Sequence, residues 1–337
     1  MIDFCATEPH FFDHLAPVWI ALQTRAERGQ FYVTSELVDR ARAQGIQVEE
    51  LPAGLELPPS QNPTVVVAYG DMKRARNVGR PVILGEHGAG QGYMDDETGL
   101  PLRSGSYIGA RDREGVIGVL VPGRHALLRH QSAHPDTPAI AVGCPKFDRW
   151  LRLPRPALDP PVIGISFHWD SRAVAETRAA WRYYVPALKT LAQTYPGLLG
   201  HAHPRLGGVM TEVYRSLGIE VVADFDTIVA RASLYAVDNS STLFEFAALN
   251  RPVVVINAPF YRREVHHGLR FWEFADVGVQ VGDWTGLVEG VVTALLDDDA
   301  RSRRRREVTQ AIYGDVDGHA SDRAAAAVLA LSGKGGG

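Results

Sequence analysis

The sequence contains little cysteine: Cys5 and Cys144 are the two in 337 residues. Both lie in apolar, strand-like segments, and two cysteines are too few for a disulfide framework, so a reducing cytoplasm is the simplest expectation. No apolar run reaches the roughly 18 residues that suggest a transmembrane helix. The first residues also lack the charged and apolar regions of a signal peptide, so we expect neither a cleaved leader nor a membrane span.

The chain also lacks a large excess of charge of either sign. The chain carries 35 Lys and Arg against 39 Asp and Glu, which gives a formal net charge of −4. This balance provides no general electrostatic attraction to nucleic acid, so a nucleic-acid partner is not expected. A G-x-G-x-x-G segment after the first predicted strand is missing, which removes the standard fingerprint of a bound dinucleotide cofactor.

The remaining composition is that of a globular protein, with 45% hydrophobic and 22% charged residues. Short apolar strands alternate with helices on both sides of residues 154–161, which include four prolines. Wholly apolar strands indicate parallel sheets that are covered on both faces. We therefore predict an α/β fold of two doubly wound, Rossmann-like domains, 1–153 and 162–332, with a Pro-rich linker at 154–161 and a cleft between the domains. Residues 333–337 are expected to form a disordered tail.

The strongest signal for a ligand lies in residues 238–250, where a strand, a tight turn and a helix follow one another. The turn offers the hydroxyls of Ser240 and Ser241, together with backbone N–H groups at a helix N-terminus, which is a frequent site for phosphate. A plain N-cap needs only one of the two serines. Because Asp238 and Glu245 accompany them, we favour binding over capping, with Glu245 placed to accept hydrogen bonds from ribose hydroxyls.

A second candidate follows the predicted strand at 81–85, where His87 enters a glycine-rich loop. Gly88 and Gly90 would let a substrate approach the backbone closely, and an imidazole is the natural general base near neutral pH. The alternative is a flexible loop with an incidental histidine. The position at the C-terminal end of a parallel strand favours the functional interpretation.

Histidines also end two strands of the second half. Alternation predicts that His201 and His203 lie on the same side of their strand end, and Arg205 is long enough to reach a phosphate. Two histidines at this spacing also suit a metal, but no nearby Cys, Asp or Glu completes a ligand set, so phosphate contact is favoured. His168 ends another strand, beside Trp169, which faces either a nucleobase or the core.

Three further segments carry weaker signals. Residues 258–274 mix basic and aromatic side chains, including His267, and either clamp a charged ligand or cover the core. His10 and His14 follow the first strand, and the turn there faces the expected cleft. The run 301–306 holds five arginines and is expected to be a solvated helix face rather than a binding patch.

An ordered set of short motifs resembles those of the CDP-glycerol glycerophosphotransferases, the teichoic-acid primases and polymerases. The segment 238–247, Asp-Asn-Ser-Ser-Thr-Leu-Phe-Glu-Phe-Ala, is similar to the family's Asp-Tyr-Ser-Ser…Phe-Asp-Phe-Ala signature. The other similar segments, from about residue 85 to 325, are Glu86-His87-Gly88, the Val-Pro step at 119–123, the Gly-x-Pro-Lys-x-Asp segment at 143–148, His203-Pro204, the segment 261–271 and the Asp-Gly-x-Ala-Ser-x-Arg segment at 317–323.

The resemblance implies a GT-B fold, with the hydroxyl acceptor in the N-terminal domain and a CDP-linked donor in the C-terminal domain. It implies that His87 deprotonates the acceptor and that His203 stabilises the pyrophosphate, so both are expected to be catalytic. The implied reaction displaces CMP at the β-phosphate during synthesis of a cell-wall or surface polymer, with no metal and no cofactor, since the CDP-linked donor is a substrate. The other expected contact residues are Asp238, Ser240, Ser241, Thr242, Glu245, Arg205, His168 and His267 for the donor, and Gly88, Gly90 and His14 for the acceptor.

Some positions depart from the family pattern. Glu86 replaces a tryptophan, Gly92 stands where a lysine is expected, and His267 replaces an arginine. The N-terminal half lacks an evident basic membrane-binding stretch, so a lipid-linked or polymer-linked acceptor is not assured, and peripheral contact with the inner face of a membrane stays an open expectation.

Two alternative functions therefore stay open. One is a nucleotide-sugar glycosyltransferase or a UDP-sugar 2-epimerase-like enzyme of the same architecture, and the other is a non-catalytic nucleotide-binding protein. Ser240 and Ser241 stand where the epimerase turn would have two glycines, which favours the transferase.

Overall fold

The computed structural model describes residues 1–22, 27–52, 56–89, 113–170, 178–261 and 272–333. The contacts among these residues divide the chain into two compact units. The first unit comprises 1–89, 113–149 and 310–333, and the second comprises the described parts of 150–309. In the described part of the chain, no helix is both long enough and apolar enough to span a bilayer.

The first unit is built on a sheet of parallel strands. Its strands are β1 (Ile2–Ala6), β2 (Arg28–Val33), β3 (Glu49–Glu50), β4 (Thr64–Val66), β5 (Val82–Gly85), β6 (Val116–Val121) and β7 (Ala139–Ala141). They pair in the order β3-β2-β1-β4-β5-β6-β7, and every pair is parallel. The connecting helices are α1 (Pro9–Ala21), α2 (Ser35–Ala43), α3 (Tyr69–Asn77), α4 (Arg124–Ala133) and the single turn α5 (Phe147–Trp150).

The apolar strands of this sheet are buried on both faces, as their sequences predict. All five residues of β1 are buried. Phe4 packs into a cluster with Phe12 of α1, whereas its neighbour Cys5 packs into a cluster on the opposite face with Met72 of α3. The carboxyl ends of β1, β4 and β5 therefore open at one edge of a rigid sheet, which is where His87 follows β5.

The second unit repeats this plan. Its strands are β8 (Ile163–Phe167), β9 (Leu198–Ala202), β10 (Glu220–Val221), β11 (Leu234–Val237), β12 (Val253–Ile256) and β13 (Val279–Val281). They pair in parallel in the order β10-β9-β8-β11-β12-β13. The helices are α6 (Trp181–Thr194), α7 (Gly207–Ser216), α8 (Phe225–Arg231), α9 (Thr242–Ala247) and α10 (Leu287–Leu295), followed by α11 (Asp299–Tyr313) and α12 (Ala320–Leu331).

The C-terminal segment returns to the first unit, where α12 packs against α1 and β6. The sequence-based domain boundaries assigned residues up to 332 to the second domain, so they differ from the contacts over the last part of the chain. A side-chain carbon at Gly118 of β6 would lie 2.4 Å from Leu331. The glycine therefore leaves the space into which α12 packs, a role that strand periodicity does not reveal.

Four elements are poorly indicated by the sequence pattern. The apolar run that starts at Thr64 continues to Tyr69, yet β4 ends at Val66. The helix α3 is mostly polar, with Asp71, Met72 and Ala75 its buried residues, and β3 has only two residues. Helical periodicity is compatible with 171–195, but α6 begins at Trp181 and 178–180 are not helical; residues 171–177 lie outside the described residues.

Candidate functional site

His87 stands at the carboxyl end of β5, in the first unit. Its Nδ1 is hydrogen-bonded to the carbonyl oxygen of Val67, and because a carbonyl only accepts, Nδ1 carries the ring hydrogen. Nε2 then holds a lone pair and is the basic nitrogen. Burial lowers the pKa of His87 to about 4, with Lys146 adding to the decrease and the Val67 bond opposing it. The ring is therefore neutral at pH 7.

Side chains from the start of α1 surround this imidazole. The ring centroids of Phe11, His10 and His14 lie 5.1, 5.9 and 6.2 Å from that of His87. Burial holds the pKa of His14 well below its usual range, and Lys146, His87 and His10 lower it further. The structure thus brings His10 and His14 together with His87, although these residues are far apart in sequence.

Of the two glycines predicted to contact the acceptor, Gly88 lies within the described residues. Gly88 has a φ of 75°, a left-handed conformation that favours glycine. Gly90 lies outside the described residues.

Glu86 is the residue whose chemistry the sequence interpretation missed. Burial raises the pKa of its carboxyl to about 7, and Arg129 and Arg113 only partly offset this effect. A carboxylic acid that titrates near neutrality, directly before His87, is a typical feature of functional sites. The motif comparison marked Glu86 only as a departure, because burial cannot be read from the motif.

The second unit places Asp238 at the carboxyl end of β11, fully buried. One carboxylate oxygen accepts from the backbone N–H of His168 at 2.8 Å, and the other accepts from that of Ala180 at 3.0 Å. Asp238 therefore ties the end of β8 to the segment that precedes α6. Its oxygens point to backbone donors, which makes it a residue that shapes the site.

Asn239 makes a second connection of the same kind. Its side-chain amide donates to the Tyr261 hydroxyl at 2.9 Å and to the Arg178 carbonyl at 3.0 Å, and Tyr261 donates to that carbonyl at 2.6 Å. The turn after β11 thus holds the residues that flank the undescribed segments 171–177 and 262–271. His267 lies in the latter, outside the described residues.

The hydroxyls of the turn form their own network. Thr242 donates from Oγ1 to Oγ of Ser240 at 2.9 Å, and its Oγ1 lies 3.0 Å from the hydroxyl of Tyr235. Ser240 and Ser241 are partly exposed, whereas Glu245 is 2% exposed. The predicted helix after the turn is confirmed as α9, but it has only six residues. A helix this short contributes little dipole, so the hydroxyls are the more important feature for anion binding.

His203 lies just beyond β9, among three other predicted or neighbouring site residues. Its Nδ1 accepts from the backbone N–H of Arg205 at 3.2 Å, so Nε2 carries the ring hydrogen. Its ring centroid lies 5.3 Å from that of His168 and 6.1 Å from that of Trp169. The guanidinium of Arg205 lies 4.9 Å from the Trp169 ring centroid, a cation–π contact.

His201 and His203 contact different neighbours, despite their spacing. His201 Nδ1 lies 3.0 Å from Oγ of Ser166, and burial lowers the pKa of His201 to about 4. His201 belongs to β9, whereas His203 follows its last residue, Ala202. Among the residues that the structure describes, no group of three or more His, Cys, Asp or Glu is arranged to hold a metal ion.

A cavity of about 530 Å³ opens in the second unit, beside the turn after β11. Its lining includes Asp170, Arg178, Arg182, Tyr183 and Phe260. The two aromatic side chains are exposed, and Arg182 pairs with the Asp170 carboxylate at 3.4 Å. The cavity combines flat aromatic faces with guanidinium groups, one of which is paired, a combination that suits a nucleotide.

Two other predicted segments have structural roles. Asp148 accepts from the backbone N–H groups of Ala320 and Ser321 at 3.1 and 2.7 Å. The motif at 143–148 therefore caps α12, the helix that begins within the motif at 317–323. In the arginine run, Arg305 is 2% exposed and pairs with Asp297, which corrects the expectation of a wholly solvated face.

Comparisons with known proteins identify solved structures of similar fold. No protein-family model matches the sequence, and no curated protein sequence matches it significantly. A variant of the wall teichoic acid polymerase TagF soaked with CDPG has a TM-score of 0.67 at 11% identity, covering 99% of this chain and 89% of that chain. The complex of MnaA from S. aureus with UDP has a TM-score of 0.64 at 14% identity, covering 99% and 97%.

A third similar structure is the UDP-GlcNAc 2-epimerase from Neisseria meningitidis bound to UDP-GlcNAc, with a TM-score of 0.58 at 13% identity, covering 95% of this chain and 97% of that chain. Identities this low show the fold alone. Together with the two parallel sheets and their interleaved helices, these similarities show that the chain has the two-domain α/β architecture of the GT-B fold.

Proposed function

We propose that the protein is a transferase that moves a polyol-phosphate group, such as glycerol phosphate, from a CDP-activated donor to a hydroxyl acceptor and releases CMP. The first unit would bind the acceptor and the second unit the donor. TagF, one of the similar structures, is a wall teichoic acid polymerase and was soaked with CDPG, which makes a CDP-linked donor the first choice.

The observation that carries the proposal is the pair of opposite ring states at His87 and His203. Backbone contacts set both states. The Val67 carbonyl holds the hydrogen of His87 on Nδ1, so Nε2 accepts a proton, whereas the Arg205 N–H leaves the hydrogen of His203 on Nε2, which donates. A neutral base and a hydrogen-bond donor are the two functions that transfer of a phosphoryl group to a hydroxyl requires of histidines.

The second unit offers the groups that a nucleoside diphosphate needs. His203 and Arg205 would bind the pyrophosphate together with Ser240 and Ser241, and the cavity beside Tyr183 would take the base. Asp238 would act on the backbone of the site rather than on the phosphates, since two carboxylate oxygens already accept backbone N–H bonds. Direct ribose contact by Glu245 stays a prediction.

In the proposed reaction, the acceptor oxygen bonds to the β-phosphorus while the bond from that phosphorus to the bridging oxygen breaks. Nε2 of His87 takes the proton of the acceptor hydroxyl, and CMP leaves with the electron pair of the broken bond. His203 and Arg205 stabilise the negative charge on the leaving phosphate. Positioning and charge stabilisation supply most of the catalysis in such reactions.

A UDP-sugar 2-epimerase is the second candidate, because MnaA with UDP and the N. meningitidis epimerase cover 99% and 95% of this chain, against 99% for TagF. The same site would then hold UDP. The hydroxyls of Ser240 and Ser241 favour the transferase, because they add donors to a turn where the epimerase-type turn has glycines.

One assay separates the two candidates. The protein is incubated with CDP-glycerol and glycerol phosphate-bearing acceptors, with CDP-ribitol, or with UDP-GlcNAc, and release of CMP or UDP and formation of an epimer are followed. Release of CMP together with a transferred polyol phosphate supports the proposal. Formation of an epimer, or failure to bind any of the three nucleotides, would contradict it.

The role of His87 has a matched control. The variant His87→Ala is expected to lower transfer by about 100- to 10,000-fold while nucleotide affinity is kept. Burial also lowers the pKa of His130 to about 4, and its Nε2 donates to the backbone carbonyl of Thr137. The variant His130→Ala should therefore lose comparable packing and keep transfer. Equal loss of transfer in both variants would show that His87 matters only for folding.

A further inference from the structure

A row of hydrogen-bonded side chains lies beneath the turn after β11. Ser240 Oγ accepts from the hydroxyl of Thr242 at 2.9 Å and from its backbone N–H at 3.4 Å. Thr242 Oγ1 lies 3.0 Å from the hydroxyl of the fully buried Tyr235. These three side chains, which we call the hydroxyl relay, join a buried tyrosine to the partly exposed Ser240.

The packing of the sheet fixes the ring of Tyr235. Tyr235 on β11 pairs with Gly164 on β8. A side-chain carbon at Gly164 would lie 3.1 Å from the Tyr235 ring, so the glycine leaves space for this ring. Phe225 of α8 packs beside it, with ring centroids 5.3 Å apart.

The row has a single direction, because each hydroxyl has one hydrogen to donate. Thr242 uses its hydrogen on Ser240, so Tyr235 must donate to Thr242. The single hydrogen of the Tyr235 hydroxyl is thereby committed to Thr242. At the other end, Ser240 accepts two bonds from Thr242, and its own hydrogen points outside the relay.

We propose that the hydroxyl relay fixes Ser240 as a hydrogen-bond donor to a phosphate oxygen of the nucleotide ligand, with Tyr235 and Thr242 as positioning residues. The identity of the ligand rests on the proposed function. A hydroxyl that is held in its donating state loses little rotational freedom when an anion binds, and bonds that point the same way along a chain strengthen one another. The site would thereby favour a ligand oxygen that only accepts.

The first test is calorimetric binding of CDP to the full chain. The variants Tyr235→Phe and Ser240→Ala are each expected to weaken CDP binding by about tenfold, the effect of one hydrogen bond to a charged group. The double variant should lose no more than either single one, because both changes remove the same interaction. Additive losses, or an unchanged affinity in Tyr235→Phe, would overturn the relay.

A matched variant separates positioning from stability. Tyr184 is another fully buried tyrosine of this unit, and its hydroxyl donates to the Asn257 carbonyl at 2.6 Å. We expect Tyr184→Phe and Tyr235→Phe to lower the melting temperature by similar amounts, while only Tyr235→Phe weakens CDP binding. Equal weakening in both would overturn the relay. A wild-type chain that binds neither CDP, UDP nor inorganic pyrophosphate would overturn the proposed function itself.

Discussion

Replacing Asp238 by asparagine distinguishes a residue that shapes the site from one that contacts phosphate. The carboxylate is fully buried and accepts backbone N–H bonds from His168 at 2.8 Å and from Ala180 at 3.0 Å. Asparagine keeps the shape of the side chain and one accepting oxygen. Its NH₂ group would face the other of the two backbone N–H groups, so two donors would meet and no hydrogen bond would form there. That lost bond and the unsatisfied buried N–H should lower the free energy of unfolding by about 2–3 kcal/mol.

For a domain of this size, the loss corresponds to a decrease in melting temperature of about 5–10 °C, measurable by calorimetry and by urea titration. Asp283 is a suitable control, because it also accepts a backbone N–H, that of Thr285 at 2.8 Å, but is exposed at a helix start. Asparagine caps such a position about as well as aspartate, so Asp283→Asn should leave stability nearly unchanged.

The affinity for CDP gives the second half of the test. If Asp238 positions the site, Asp238→Asn weakens CDP binding together with stability. If the carboxylate instead lay against a phosphate, removing its negative charge would relieve a repulsion and strengthen binding. Unchanged stability, or tighter CDP binding, would refute the reasoning.

Three further predictions concern stability. The variant Gly200→Ala should lower the free energy of unfolding by about 1–3 kcal/mol in urea titrations, because the new carbon would lie 2.5 Å from the Tyr214 ring, whereas Gly208→Ala meets open space in α7 and should not destabilise. The variant Arg80→Met removes the charged partner of the buried Asp3 carboxylate, which lies 2.5 Å from Arg80 in the wild type. It should lower the free energy of unfolding by about 3–5 kcal/mol in the same measurement. The pKa of Glu86 is about 7 in the folded chain against 4.5 for an ordinary glutamate, so folding favours the protonated carboxyl. The stability that this provides is fully present at pH 4 and is lost as the pH rises through 7. Wild type should lose roughly 2.5 kcal/mol more than Glu86→Gln between pH 5 and pH 8, and identical pH profiles would exclude this titration.

The motif resemblance gains a physical explanation at one place. The segments 143–148 and 317–323 look like two separate signatures in the sequence, yet Asp148 caps the start of α12. Arg323 of that helix also donates to the Val142 carbonyl at 3.2 Å. These motifs therefore fasten the last helix to the first unit, which is a structural function that their residue types alone do not indicate.

The α/β architecture was predictable from the pattern of residues along the chain. Largely apolar strands that alternate with helices indicate parallel sheets that are covered on both faces, so β1, β8 and β11 were predictable from short-range pattern. The same pattern placed His87, His203 and the turn at 238–241 at carboxyl ends of strands, because that position depends only on where each strand stops. It failed at α3, whose face toward the core is too small to show a clear period.

What each of these residues can donate or accept depends on contacts that form when the chain folds. The hydrogen of His87 is placed by the carbonyl of Val67, 20 residues away, and the carboxylate of Asp238 is occupied by backbone groups 58 and 70 residues away. The burial that raises the pKa of Glu86 depends likewise on neighbours that are distant in sequence. Proton positions and pKa values follow from contacts in space, so a linear pattern of residue types indicates where a site lies but not the chemical state of its groups.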